Sequence, residues 1–187
     1  MTDLKAAMPA DAITTTDAGS FGQWQQRFLE FDHPNSYISP TLGCMGPGVP
    51  SAVAAKLAYP NRTVIAHIGD GGFLMTGQEM ATAKQYNAPI IAIVYNNEGY
   101  NSIRMHQEAQ YPGRQHGVAL ENPDFAAMGE AYGALGLKVT RDEEFLPAFK
   151  RALAANRSAL IEVQTDYEYV TPNARLSELA GKKLAGD

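Results

Sequence analysis

Residues Gly69 to Gly77 read GDGGFLMTG, directly after the apolar run TVIAHI (Thr63 to Ile68). A glycine-rich turn behind a strand suits a phosphate group, because bare backbone N–H groups can approach an anion there and the next helix adds its positive end. Asp70 stands in the middle of this turn, where its carboxylate would repel that anion. The dinucleotide fingerprint is excluded on spacing, since Gly69, Gly71 and Gly72 do not give G-x-G-x-x-G. A P-loop is excluded as well, because no G-x-x-x-x-G-K-[ST] occurs in the chain. An acid at a phosphate site becomes favourable once a divalent cation lies between the two, so the turn predicts a metal.

A hard cation such as Mg²⁺ takes oxygen ligands, few from protein and the rest from phosphates and water. The next apolar run, PIIAIVYN (Pro89 to Asn96), leads into YNNEGYN (Tyr95 to Asn101). Asn97 follows Asp70 by 27 positions, enough for the turn, a helix and the return strand of one crossover. If the two strands are neighbours, the Asn97 amide oxygen and the Gly99 carbonyl join Asp70 in a three-ligand protein face. A strand-terminal Asp before glycine and an Asn-Asn pair are each common in loops. Their joint occurrence at two strand ends, one crossover apart, is what carries the reading.

The punctuation of the sequence divides the chain into alternating units. AITTT (Ala12 to Thr16) reads as a short strand, and GQWQQRFLEF after it has helical spacing at Trp24, Phe28 and Phe31. The turn GCMGPGVP (Gly43 to Pro50) opens onto the helix SAVAAKLA. TGQEMATAKQY (Thr76 to Tyr86) reads as a helix with Thr76 as N-cap and Glu79 completing a capping box. Later come a helix near NPDFAAMGEAYG, capped by Asn122, a strand LKVT, a helix DEEFLPAFKRALAAN and a strand ALIEVQT. This alternation predicts an α/β fold, a doubly wound, mostly parallel sheet with helices on both faces and ligands at the carboxyl ends of its strands. The expected organisation is a flexible N-terminal segment over 1–12, one domain over 13–171, and a C-terminal tail over 172–187 open to forming a helix.

Composition narrows the partners. The 187 residues are 45% hydrophobic, enough for one sizeable core, and carry a net charge of −5, which disfavours nucleic acid. The single cysteine, Cys44, forms no internal disulfide or thiolate cluster, so a reducing cytoplasm is the expected setting. No apolar run approaches the roughly 20 residues of a membrane span. His67 reads as a packed sheet residue, and His106 and His116 as loop residues flanking QYPGR.

GDG followed by NN at this interval resembles the thiamine diphosphate motif of thiamine diphosphate-dependent enzymes. The stretch from SPTLGCMGPGVP through YNNEGYNSIR, continued by HQEAQYPGR and NPDFAAMGEAYGALG, is similar to the cofactor-binding C-terminal domain of the acetolactate synthase-like branch. The resemblance covers roughly Ile13 to Thr171. It implies that Asp70, Asn97 and the Gly99 carbonyl bind Mg²⁺, while Gly69, Gly71 and Gly72 hold the diphosphate of thiamine diphosphate. Many relatives carry Ser where this chain has Gly72. The resemblance also implies that the Gly43 carbonyl and Met45 hold the pyrimidine and thiazolium rings, and that Ser20 and Phe21 lie in a loop reaching the diphosphate. Glu98 and Asn101 depart from the residues usual at their positions.

The activity this resemblance implies is decarboxylation or carboligation of a 2-oxo acid, with the organic chemistry carried by the cofactor. Family members take the activating glutamate from a separate pyrimidine-binding domain or subunit, and no second α/β unit is legible here. The chain then reads as half an active site, either a part of a larger enzyme or one subunit of a split one, with an exposed docking surface and a tendency to form a homo-oligomer. The alternative from a different class is a non-catalytic module that binds a nucleotide or thiamine diphosphate.

Overall fold

The two continuous apolar runs form neighbouring parallel strands, the arrangement that buries both faces of each. The computed structural model describes residues 1–180. In chain order the elements are α1 (Thr2–Ala7), β1 (Ile13–Thr16), α2 (Gly22–Phe28), β2 (Tyr37–Ile38), α3 (Gly48–Ala58), β3 (Val64–Gly69), α4 (Asp70–Thr76) and α5 (Glu79–Gln85). They continue with β4 (Ile91–Asn96), α6 (Asn101–Gln110), α7 (Phe125–Ala131), β5 (Leu135–Val139), α8 (Asp142–Ala154) and β6 (Ala159–Gln164). A small hairpin, β7 (Tyr169–Thr171) and β8 (Ala174–Arg175), and a 3₁₀ turn at Leu176–Glu178 complete the described chain.

Six strands lie in the order β2-β1-β3-β4-β6-β5, every pair parallel. The chain leaves β1 for β2 on one side and then crosses back to place β3 on the other. Strand order therefore reverses between β1 and β3, where the carboxyl ends of an open α/β sheet leave a crevice. The doubly wound, mostly parallel fold expected from the sequence is the one observed.

Alternate residues of each strand feed two cores. Val64, Ala66 and Ile68 of β3 cluster with Val49 of α3, Phe73 of α4, Met80 of α5 and Phe125 of α7. Ile65 of β3 and Ile91 and Ile93 of β4 cluster instead with Phe149 of α8 and Leu4 of α1. Phe73 and Phe125 meet edge to face, ring centroids 5.5 Å apart, which ties the helix after β3 to the one before β5.

Several local expectations do not hold. Residues 1–12 are not a free segment: α1 forms, and its Leu4 is only 1% exposed, packed on the α8 face. The helix expected to start at Thr76 is preceded by α4, which begins at Asp70 immediately after β3. Glu79 accepts from the Thr82 hydroxyl at 2.6 Å, and the Thr76 hydroxyl donates to the Gly46 carbonyl instead of capping a helix. The α7 cap is Asp124, whose carboxylate accepts from Ala127 N at 2.8 Å, not Asn122. His106 lies in α6, a helix the sequence did not reveal. Of the C-terminal tail, residues 174–178 form β8 and the 3₁₀ turn, with Leu176 and Leu179 buried against Val170; residues 181–187 lie outside the described chain.

Burial of Leu4 makes α1 part of the fold's stability. Leu4→Ala is expected to cost about 2 kcal/mol or more, the range for buried leucine truncation, read as a lower denaturant midpoint with unchanged m-value. A cost below about 0.5 kcal/mol, as at exposed sites, would contradict the docking.

His67 is fully buried on β3, its Nδ1 2.8 Å from the Tyr95 hydroxyl and its Nε2 without a partner among the described residues. Burial penalises the imidazolium and lowers its pKa from 6.5 to about 3. A depressed histidine pKa means that the unfolded chain binds the proton first. The stability contribution is present above pH 6.5 and lost as pH falls from there toward 3, at up to about 1.4 kcal/mol per pH unit. His67→Leu is expected to flatten the acid limb of a stability-against-pH curve. An unchanged slope between pH 6 and pH 4 would contradict the assignment.

Candidate functional site

The carboxyl ends of β1, β3 and β4 deliver three polar segments to one crevice. β3 ends at Gly69, so Asp70 is the first residue of α4, and it is only 4% exposed. Its Oδ1 accepts from Gly71 N at 2.8 Å, and its Oδ2 accepts from Gly99 N at 3.2 Å and from Asn122 Nδ2 at 2.8 Å. The Asn97 Oδ1 accepts from the same Gly99 N–H at 3.1 Å. One N–H therefore gathers the Asp70 and Asn97 oxygens into a single corner. No backbone N–H among the described residues is bonded to the Gly99 carbonyl.

The loop that carries this corner is held by two successive asparagine turns. Asn96 Oδ1 accepts from Glu98 N at 3.2 Å, and Asn97 Oδ1 from Gly99 N two residues on. Glu98 between them adopts φ +58°, the left-handed region that a non-glycine residue enters only under such constraint. Tyr100 N then donates to Val118 O, and Leu120 N to Glu98 O, closing the loop against residues 118–120.

Burial raises the Asp70 pKa above the ordinary aspartate value, against the pull of its donors. A buried carboxylate with few charges nearby is stabilised in its ionised form by a cation, and the donor set here is all oxygen: carboxylate, amide and carbonyl. That chemistry fits a hard divalent ion. Among the described residues no cluster of three His, Cys, Asp or Glu side chains exists.

A second carboxylate organises the other wall. Asp17, at the end of β1 and 3% exposed, accepts from Gly46 N at 2.8 Å and from Gly48 N at 2.5 Å. Thr15 Oγ1 donates to Gly48 O at 2.7 Å and Thr76 Oγ1 to Gly46 O. These bonds clamp the 43–48 turn, in which Gly43 and Gly46 take φ of +63° and +100°. Burial raises the Asp17 pKa as well. A Cβ on Gly72 would overlap Asp17 Oδ2, so the aspartate leaves no room for a side chain at position 72.

All ten residues singled out in the sequence, Ser20, Phe21, Gly43, Met45, Gly69, Asp70, Gly71, Gly72, Asn97 and Gly99, line one cavity of about 490 Å³, within the usual range of small-molecule sites. Met45 reaches toward Gly71, its Cε 3.4 Å from where a Cβ would stand. Phe21 folds its ring over Gly69 and stacks on Tyr95 at 5.5 Å, so only its backbone is polar toward the cavity. The Gly71 N–H is already donated to Asp70. Asp17 and Asn122 are residues of this crevice that sequence reasoning missed. The Gly48 and Gly72 positions, which have no room for a side chain beside Asp17, were the one signal for it.

The sequence pattern of the family described as "Thiamine pyrophosphate enzyme, C-terminal TPP binding domain" matches residues 17–163. The chain is 32% identical over 186 residues to the "Acetolactate synthase isozyme 2 large subunit" of Escherichia coli (strain K12), covering 96% of this chain and 34% of that protein. It is 31% identical over 178 residues to the "Sulfoacetaldehyde acetyltransferase" of Alcaligenes xylosoxydans xylosoxydans, covering 92% of this chain and 30% of that protein. Among solved structures, the "Rhodococcus jostii RHA1 thiamine diphosphate-dependent 4-hydroxybenzoylformate decarboxylase" superposes with a TM-score of 0.82 at 36% identity, over 88% of this chain and 31% of that one. The chain thus spans about a third of the length of these relatives. With a sheet and a sequence pattern that agree, it belongs to the thiamine pyrophosphate enzymes as their C-terminal cofactor-binding domain.

Proposed function

We propose that this domain binds Mg²⁺ and thiamine diphosphate and supplies half of the active site of a 2-oxo acid decarboxylase or carboligase. The observation that carries the reading is the convergence of the Asp70 and Asn97 oxygens on one Gly99 N–H. When bound, thiamine diphosphate supplies the nucleophilic carbon that adds to a 2-oxo acid carbonyl and accepts the electron pair left by departing CO₂. Asp70, Asn97 and the Gly99 carbonyl hold the metal, and the metal allows a diphosphate to sit beside a buried carboxylate. At the start of α4 the Gly72 N–H, with Ser20 and the Phe21 backbone, would hold the phosphates.

The 43–48 turn presents the Gly43 carbonyl and the Met45 side chain to the rings of the cofactor. Asp17 and Thr15 keep that turn from collapsing into the cavity, because each of their bonds ends on its backbone. The stacked rings of Phe21 and Tyr95 form an apolar wall of the same space. The activating glutamate comes from a pyrimidine-binding domain or subunit that docks at the cavity rim. Leu42 is 93% exposed beside Gly43, and Leu74 and Met75 are 44% and 47% exposed on α4. This apolar rim supports the docking, through a second subunit of a homo-oligomer or through a partner chain.

Titration calorimetry with thiamine diphosphate, NAD and ATP, each with and without Mg²⁺, tests the proposal. Thiamine diphosphate is expected to bind only with Mg²⁺, and Asp70→Ala to weaken that binding by more than about 100-fold, beyond the loss typical of residues outside the ligand set. NAD binding without metal, or metal-independent thiamine diphosphate binding retained in Asp70→Ala, would contradict it.

A further inference from the structure

We propose that Asn122 is a positioning residue for the metal-binding carboxylate, holding Asp70 through a hydrogen-bonded relay anchored at Glu162. The inference rests on the functional reading above and adds to it the group that orients its first ligand. Asn122 Nδ2 lies 2.8 Å from Asp70 Oδ2 and 2.9 Å from Asn96 Oδ1, so a single amide bridges the ends of β3 and β4. Asn96 Nδ2 in turn donates to Glu162 Oε1 at 2.9 Å.

The direction of every bond in this relay is set by its anchor. Glu162 is 1% exposed on β6, with Lys138 Nζ 3.4 Å from Oε1 and Ala126 N 3.4 Å from Oε2. Its oxygens face an ammonium and a backbone N–H, groups that can only donate, and so act as acceptors. It therefore turns the Asn96 NH₂ toward itself and the Asn96 oxygen away, where that oxygen receives Glu98 N. An amide facing both this oxygen and the Asp70 carboxylate must present its own NH₂, and Asn122 has two N–H bonds for the two acceptors. Its Oδ1, buried and without a partner among the described residues, points away from both. The backbone prepares the geometry: Pro123 keeps Asn122 out of the helical region, and Asp124 does the capping of α7 that frees Asn122 for this task.

The consequence is rotational. Without Asn122, Oδ2 of Asp70 keeps only the longer bond from Gly99 N, and the last torsion of the carboxylate is held mainly through Oδ1 by Gly71 N. The relay also reaches the other side of the corner, because the Asn96 oxygen it orients fixes Glu98 N and so the turn that carries Asn97 and Gly99.

Mn²⁺ titration in the presence of thiamine diphosphate, followed by the electron paramagnetic resonance of free Mn²⁺, tests this on the full chain. Asn122→Ala is expected to weaken Mn²⁺ binding about 10–100-fold, the range for groups that orient metal ligands, and Glu162→Gln to weaken it less. Leu4→Ala, destabilised at a core residue that does not itself line the cavity, serves as the matched control and is expected to bind as the wild type does. Amide exchange without metal gives a second readout: Gly99 N–H is expected to exchange faster in Asn122→Ala while Ala92 and Val94 of β4 keep their protection. Unchanged Mn²⁺ affinity in Asn122→Ala, or an equal loss in Leu4→Ala, overturns the positioning role. A wild type that binds no Mn²⁺ overturns the functional reading instead; faster Gly99 exchange in Asn122→Ala then still supports the relay, and unchanged exchange overturns it.

Discussion

A carboxylate buried at the first residue of a helix, where an anionic ligand would be drawn by the helix's positive end, is the constraint on which the rest depends. Asp70 occupies that position with both oxygens bonded and 4% of its surface exposed. Burial raises its pKa, so the fold bears the cost of keeping a charge there. In the proposed function a divalent cation would account for the placement, because it turns a repulsive neighbour of a diphosphate into a tether for it.

Two layers of structure serve this corner. The sheet supplies coarse placement: β1, β3 and β4 are adjacent and parallel, so Asp17, Asp70 and Asn97 leave at the same edge. Hydrogen bonds to backbone supply the fine placement, since Asp17 holds the 43–48 turn and the paired asparagines hold the 96–99 turn. Glycines at 48 and 72 leave Asp17 the room to do this. Polar side chains inside the fold thus act on the shape of two loops, and the loops present the chemistry.

The sheet was legible because continuous apolar runs such as Val64 to Ile68 and Ile91 to Val94 have few other stable placements than strands buried on both faces. The Asp70 and Asn97 pair was legible because 27 positions is one crossover, and parallel neighbours bring their carboxyl ends together. Asp17 and Asn122 were not, since their roles are long-range: an Asp after a β-branched strand reads as a turn former, and an Asn before Pro reads as a helix cap. Helix α6 escaped for a related reason. Its buried residues include Asn101 and Arg104, whose polar bonds to Tyr169 O and Tyr167 O replace an apolar stripe. Helix α1 is short, and only its docking of Leu4 against the α8 face makes it stable.

The direct measurement is a crystal of the chain grown with Mn²⁺ and thiamine diphosphate and probed by anomalous scattering. One peak is expected, bonded to Asp70, Asn97 and the Gly99 carbonyl at about 2.0–2.3 Å, as for small oxygen-bound divalent ions, with phosphate oxygens completing the shell. Cofactor bound in the cavity with no metal between its phosphates and Asp70 would contradict the central claim.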